Sequence, residues 1–270
     1  MHLVLDYQNI LVFGAFLINL ALCLLIHLRT KKTNANITFE ITALSIAGWC
    51  LAMIFYRSAP EQTAVFWTKV LYFFPTFIPT AFLLFGLFFP NNKVKKTTLY
   101  MIIALNVAMS CLVVFGDTII KSVETVPYKE KIIIFGPLYY AFYIAYITGF
   151  FLASYWVLFQ KYRKGNPYVR MQILYILLGM TAASVPAMIT NLNLPTFGYF
   201  EVNWIGQLFT IYWVGGVTYA IIKHRLLDIR FVLARTISYV LLVVFLGVHY
   251  LTWQVVSLMV RYPLTFNCVI

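Results

Sequence analysis

Chemistry on a polypeptide begins with side chains that ionise, and this chain has few. The four histidines, His2, His27, His224 and His249, fall on separate segments and form no set with metal-ligand spacing, so no metal site and no cofactor is expected. GxxxxGK[ST], HExxH and GxSxG patterns do not occur. The densest run of titratable residues is "YAIIKHRLLDIRFVLARTISY", which holds Lys223, His224, Arg225, Asp228, Arg230 and Arg235. In a helix, Asp228 pairs locally with His224 four residues back or Arg225 three back. Ile222, Leu226, Ile229 and Leu233 fall on one stripe of that helix. Its cations can meet anionic head groups at about 1 kcal/mol each. That chemistry is adhesion and mechanical linkage, not bond making.

A second group of residues has the makings of a binding pocket. Pro75 and Pro79, four apart in "YFFPTFIPTAF", each remove a backbone donor and predict a kinked helix. Thr76, Thr80 and neighbouring helices are expected to satisfy the freed carbonyls. Tyr139, Tyr143, Tyr146 and Phe150 form an aromatic stripe, and Ala141, Ala145, Gly149 and Ala153 a small-residue stripe suited to close helix packing. The aromatic stripe serves either packing and an interfacial belt or an aromatic-walled pocket that also takes in Tyr212. Asn106 and Gln207 either bond a neighbouring helix or converge on a ligand, which would be small and largely apolar.

The elements that must position these residues follow from composition. The chain is 62% hydrophobic and 10% charged, against about 25% charged in soluble domains. Such a chain needs lipid as its solvent, and the net charge of +12 then reflects the membrane's basic side rather than nucleic acid. Eight apolar segments approach spanning length: 10–28, 39–56, 65–89, 98–115, 135–159, 172–190, 204–222 and 236–260. In lipid these are helices. One set of connections carries 14 Lys and Arg, the other 6, which places the N-terminus outside and the 223–235 segment in the cytoplasm. "GDTIIKSVETVPYKEKIII" predicts a short external β-hairpin between the fourth and fifth helices. The fold class is therefore an all-α integral membrane protein: an N-out seven-helix bundle, an eighth transmembrane helix and one hairpin. The seventh span has no Lys for a retinal Schiff base, and no span has an acid at its middle, which disfavours ion-coupled transport.

Four stretches occur in order: "GPLYYAFYIAYITGFF", "YRKGNPYVRMQILYILLGM", "TNLNLPTFGYFEVNWIGQLFT" and "YAIIKHRLLDIRFVLARTISYVLL". Together they resemble the N-terminal seven-transmembrane sensor region of bacterial histidine kinases. The resemblance implies a signal-input module over residues 1–235 in the cytoplasmic membrane, its output carried by a linker at about 223–235. It makes Arg170, Gln172, Lys223, His224, Arg225, Asp228 and Arg230 candidates for coupling. It implies a kinase core elsewhere, homodimerisation through that core, and an unknown small-molecule or membrane signal. Residues 236–270 are read as the eighth helix and a truncated tail, with "YPLTFNCVI" expected to begin a ninth helix of a longer protein. The composition alone leaves two alternatives, a carrier for a small apolar or lipid-like compound and a scaffold or assembly subunit without a ligand.

Overall fold

The computed structural model describes Val4, residues 6–90, 94–125 and 130–224, and the single positions Leu246, His249, Tyr250 and Trp253. The 126–127 half of the expected hairpin turn, the coupling candidates Arg225, Asp228 and Arg230, and most of the expected eighth helix lie outside the described residues.

Helices dominate. They are α1 (Tyr7–Arg29), α2 (Asn34–Ser58), α3 (Glu61–Phe88), α4 (Lys96–Phe115), α5 (Tyr139–Lys164), α6 (Pro167–Thr196) and α7 (Ile205–His224). The first six are long and apolar enough to cross a membrane; in α7 the apolar stretch is the shorter Ile205–Ile221. Local chemistry sets their starts. Asp6, Thr33 and Asn166 accept the backbone N–H of Asn9, Asn36 and Val169, so each caps a helix entry. Pro167 follows Asn166 at the first helical position, where its missing N–H costs nothing.

The expected sheet is present. Strands β1 (Ile120–Glu124) and β2 (Ile132–Phe135) pair antiparallel between α4 and α5. Gly136 follows at once, and a Cβ there would stand 2.3 Å from the Thr118 carbonyl, so only glycine lets the chain turn into α5.

Helices consecutive in the chain run antiparallel. In packing order α1, α2, α3, α5, α6 and α7 close a ring, with α7 returning to α1, while α4 lies outside against α3. One end of the ring carries the hairpin; the other carries the basic connections at Lys31, Lys32, Lys161, Arg163 and Lys164. The core toward the basic end is aromatic: Phe39 meets Phe85 edge to face and Trp213 at a tilt, each at 4.8 Å between ring centroids. Large apolar side chains such as Leu152, Trp156, Tyr100 and Phe66 stay exposed around the outside, as a bundle dissolved in lipid requires.

One packing expectation is corrected. Ala141, Ala145 and Gly149 face away from the ring, and a Cβ on Gly149 would meet nothing within 4 Å. The buried face of α5 is Tyr139, Tyr143, Ile147, Phe151, Ser154 and Leu158. The larger side chains win that face because they bury more area and because the hydroxyls of Tyr143 and Ser154 have partners on α3. The close helix contact lies instead between α6 and α7. A Cβ on Gly216 would stand 2.7 Å from the Tyr175 carbonyl and 2.8 Å from the Gly179 Cα, so here backbone lies against backbone.

Candidate functional site

Helix α3 continues through Pro75 and Pro79. Each proline lacks the N–H that would reach the carbonyl four residues back, Leu71 for Pro75 and Pro75 for Pro79, and its ring crowds the turn that holds the next carbonyl. The Tyr72 carbonyl, three residues before Pro75, accepts from the Tyr143 hydroxyl at 2.7 Å. The Thr76 carbonyl, three before Pro79, accepts from Asn106 Nδ2 at 2.9 Å, Thr80 Oγ1 at 2.8 Å and the Tyr146 hydroxyl at 3.3 Å. Ser110 Oγ closes this seam 2.9 Å from Thr76 Oγ1. Pro79 itself is buried, and its carbonyl accepts from Ser154. The proline face is thus sewn to α4 and α5 by side-chain donors.

Two π-helical turns bound the hairpin-side half of the ring: Tyr139–Tyr143 opening α5, and Ile189–Asn193 near the end of α6. Such turns widen a helix locally and recur at functional sites. The first turns both Tyr139 and Tyr143 fully inward, and the Tyr139 hydroxyl reaches the Leu192 carbonyl in the second at 3.4 Å.

Between them lies a cavity of about 70 Å³, bounded by α2, α3, α5 and α6, with Thr210 of α7 at one side. Trp49, Tyr72, Pro75, Tyr143, Phe151 and Met180 are among its walls, and none of its lining residues is charged. Thr210 is held by α1: Asn19 Nδ2 donates to its hydroxyl at 2.9 Å, and that hydroxyl donates to the Gln207 carbonyl at 2.6 Å. Ser184 of the lining lies 2.6 Å from the Tyr155 hydroxyl.

The structure therefore divides the ligand candidates read from the sequence. Pro75 and Tyr143 line the cavity. Tyr139 stacks on Tyr143 beside it, with ring centroids 5.7 Å apart. Pro79, Asn106 and Tyr146 belong to the proline seam. Gln207 is fully buried; with its amide turned to donate, its nitrogen reaches the carbonyls of Trp204 and Asn203 at 2.9 and 3.0 Å. Asn106 and Gln207 thus serve separate sets of partners. Tyr212 lies 3.1 Å from His249 Nδ1. Of the coupling candidates, Arg170 sits over the Tyr162 ring at 5.0 Å, Gln172 is buried in α6, and Lys223 and His224 end α7. Trp49, Tyr72, Met180, Ser184, Asn191 and Thr210 were not singled out by sequence; each becomes visible only when the ring closes.

At the hairpin end, Arg57 is almost wholly buried and joins three distant pieces of chain. Its guanidinium donates to Asp6 at 2.7 Å, to Glu130 at 2.5 Å and to Asn9 at 2.9 Å. Beside it, Lys131 Nζ donates to the carbonyls of Tyr56 and Arg57, which end α2. Burial pushes the Lys131 ammonium down to about 8, with Glu130 opposing. At the basic end Lys161 repeats the device, donating to the carbonyls of Gly86, Leu87 and Phe89 at the end of α3.

Six helices long and apolar enough to cross a membrane, with large apolar side chains exposed around their outside, define a multi-pass helical membrane protein. The family model for the N-terminal 7TM region of histidine kinase matches residues 11–230, so the chain belongs to that family. Neither a curated protein nor a solved structure gives a match.

Proposed function

We propose that this chain is the signal-input module of a membrane histidine kinase, an N-out bundle of seven spans in the bacterial cytoplasmic membrane. The observation that carries the reading is the family match over residues 11–230, which takes in the whole ring and reaches into the basic segment after α7. A helix of the length of α7, about 30 Å, supports a seventh span. The excess of Lys and Arg on one set of connections supports the orientation.

In this reading residues 1–235 receive and pass on the signal, residues 236–270 hold an eighth helix and tail, and an attached kinase core dimerises. The signal is a small molecule or a state of the bilayer. Its route runs from cavity to α6 to α7. Met180, Ala183 and Ser184 face the cavity, while Gly179 of the same helix meets Gly216 of α7 backbone to backbone. A shift of α6 is therefore carried into α7 and the 223–235 segment.

The test fuses residues 1–235 to the core of a characterised histidine kinase in proteoliposomes and follows autophosphorylation. Output should change with bilayer composition or added lipophiles, and Gly216→Ala, the smallest change at the α6–α7 contact, should alter it while insertion stays normal. Output indifferent to all three removes the reading.

A further inference from the structure

At the basic end of the ring the described residues include one acid, Glu40, and it is already engaged. His27 Nδ1 lies 2.7 Å from its carboxylate and Lys32 Nζ 3.4 Å. Lys161 is engaged as well, its ammonium donating to the carbonyls of Gly86, Leu87 and Phe89. Lys95, Lys96, Arg163 and Lys164 are different. All four are exposed, and none pairs with a carboxylate among the described residues.

The fold makes neighbours of these two pairs. Arg163 and Lys164 follow closely on Lys161, whose bonds fix the end of α5 beside the end of α3. Lys95 and Lys96 open α4 six and seven positions after Phe89, and α4 packs on α3. Helices α4 and α5 also touch each other, Asn106 Nδ2 donating to the Tyr146 hydroxyl at 3.0 Å. The two pairs therefore flank the end of α3 from adjacent sides. Between that joint and the cations both helices turn large apolar side chains outward: Tyr100 and Met101 on α4, Trp156 and Phe159 on α5. Unpaired cations at the head-group level, above lipid-facing aromatic and aliphatic side chains, suit a phospholipid with a net negative head group. A zwitterionic head group brings its own cation to the same place and gains less. A soluble anion meets the charge and leaves the apolar flank unused.

We propose that this face binds an anionic phospholipid, its phosphate held between the Lys95–Lys96 pair and the Arg163–Lys164 pair and its acyl chains lying on the outer surface of α4 and α5. The lipid thus rests on the two helices that are sewn to the proline face of α3. The proposal goes beyond the input-module reading and does not depend on it, because binding is measured on the chain alone.

The experiment takes the full chain in neutral detergent and titrates it with phosphatidylglycerol, or with phosphatidylcholine of the same acyl chains. Native mass spectrometry reads the bound lipid. Phosphatidylglycerol should bind about tenfold or more tightly than phosphatidylcholine. Lys95→Gln with Lys96→Gln, and Arg163→Gln with Lys164→Gln, should each weaken phosphatidylglycerol about 25-fold, two cations at about fivefold apiece. Neither should change phosphatidylcholine binding much. The control is Arg29→Gln with Lys31→Gln, which removes the same charge from exposed positions at the end of α1, across the ring from α5. It should leave phosphatidylglycerol binding within about twofold, because charges that far apart are screened. All six positions are exposed, so the variants keep the fold, and thermal unfolding checks that they do. Equal weakening by all three double variants would mean diffuse surface charge, and equal affinity for the two lipids would mean no head-group recognition; either overturns the proposal. Glycerol 1-phosphate, the head group without chains, should not displace the lipid at matched concentration. Displacement would make the ligand a soluble phosphate and overturn the lipid assignment.

Discussion

The Tyr143 hydroxyl donates to the Tyr72 carbonyl at 2.7 Å, three residues before Pro75. A side chain of α5 thus supplies a donor where a proline has disturbed the backbone of α3. Tyr143→Phe keeps the ring stack with Tyr139 and loses the bond. Its cost should be about 0.6–1.5 kcal/mol, read as a lowered midpoint of thermal unfolding in detergent. In a Pro75→Ala background the restored N–H serves the Leu71 carbonyl and not that of Tyr72, so the same substitution should cost nearly as much there as beside proline. A double-mutant cycle measures the difference.

Gly216→Ala should be among the most damaging conservative changes in the chain. The added Cβ meets the Tyr175 carbonyl and the Gly179 Cα, neither of which can rotate away, and overpacking of this kind costs roughly 1–3 kcal/mol. Gly149→Ala is the matched control. It faces open space on a helix, and alanine's better helix propensity should leave stability unchanged or slightly raised. Thermal unfolding of the two variants side by side checks the contrast.

Arg57→Met should loosen the hairpin end. It leaves the Asp6 and Glu130 carboxylates without their partner, and because both are partly exposed the cost should fall near 1–3 kcal/mol rather than the full penalty of a buried pair. Limited proteolysis should cut the variant faster before α1 and in the hairpin than within the helices.

Lys131 gives the hairpin end a pH dependence. Its folded pKa of about 8 lies below its ordinary value of 10.5. Between those values the unfolded chain binds more protons than the folded one, so this residue makes stability rise as pH increases from about 8 toward 10.5. Comparing wild type with Lys131→Met across about pH 7–10.5 isolates the contribution from other titrating groups. Subtracting the two thermal-unfolding series should leave a rise with pH; a flat or falling difference refutes the assignment.

Six of the expected spans and the hairpin were legible because each depends on local composition: long apolar runs for helices, β-branched residues around a turn for strands. The inward face of α5 was not. In lipid both faces of a helix are apolar, so periodicity does not distinguish Ala141, Ala145 and Gly149 from Tyr139, Tyr143 and Ile147. Carbonyl repair beside the prolines was foreseeable, but its donors were split between α4 and α5, and only packing assigns Asn106, Tyr143 and Tyr146 to that task. Arg57, Lys131 and Lys161 enter a sequence reading as counts in a charge balance. Their role as ties and helix-end caps depends on partners 48 to 75 positions away.

The α6–α7 contact has one more consequence. Where side chains mesh, a displacement can be absorbed by rotamers that slip from one well to another. Where two glycines bring main chains together, there is little to slip. Gly179 and Gly216 leave no side chain between the two helices at that height, so a shift of one main chain would be met directly by the other, with no rotamer to take it up.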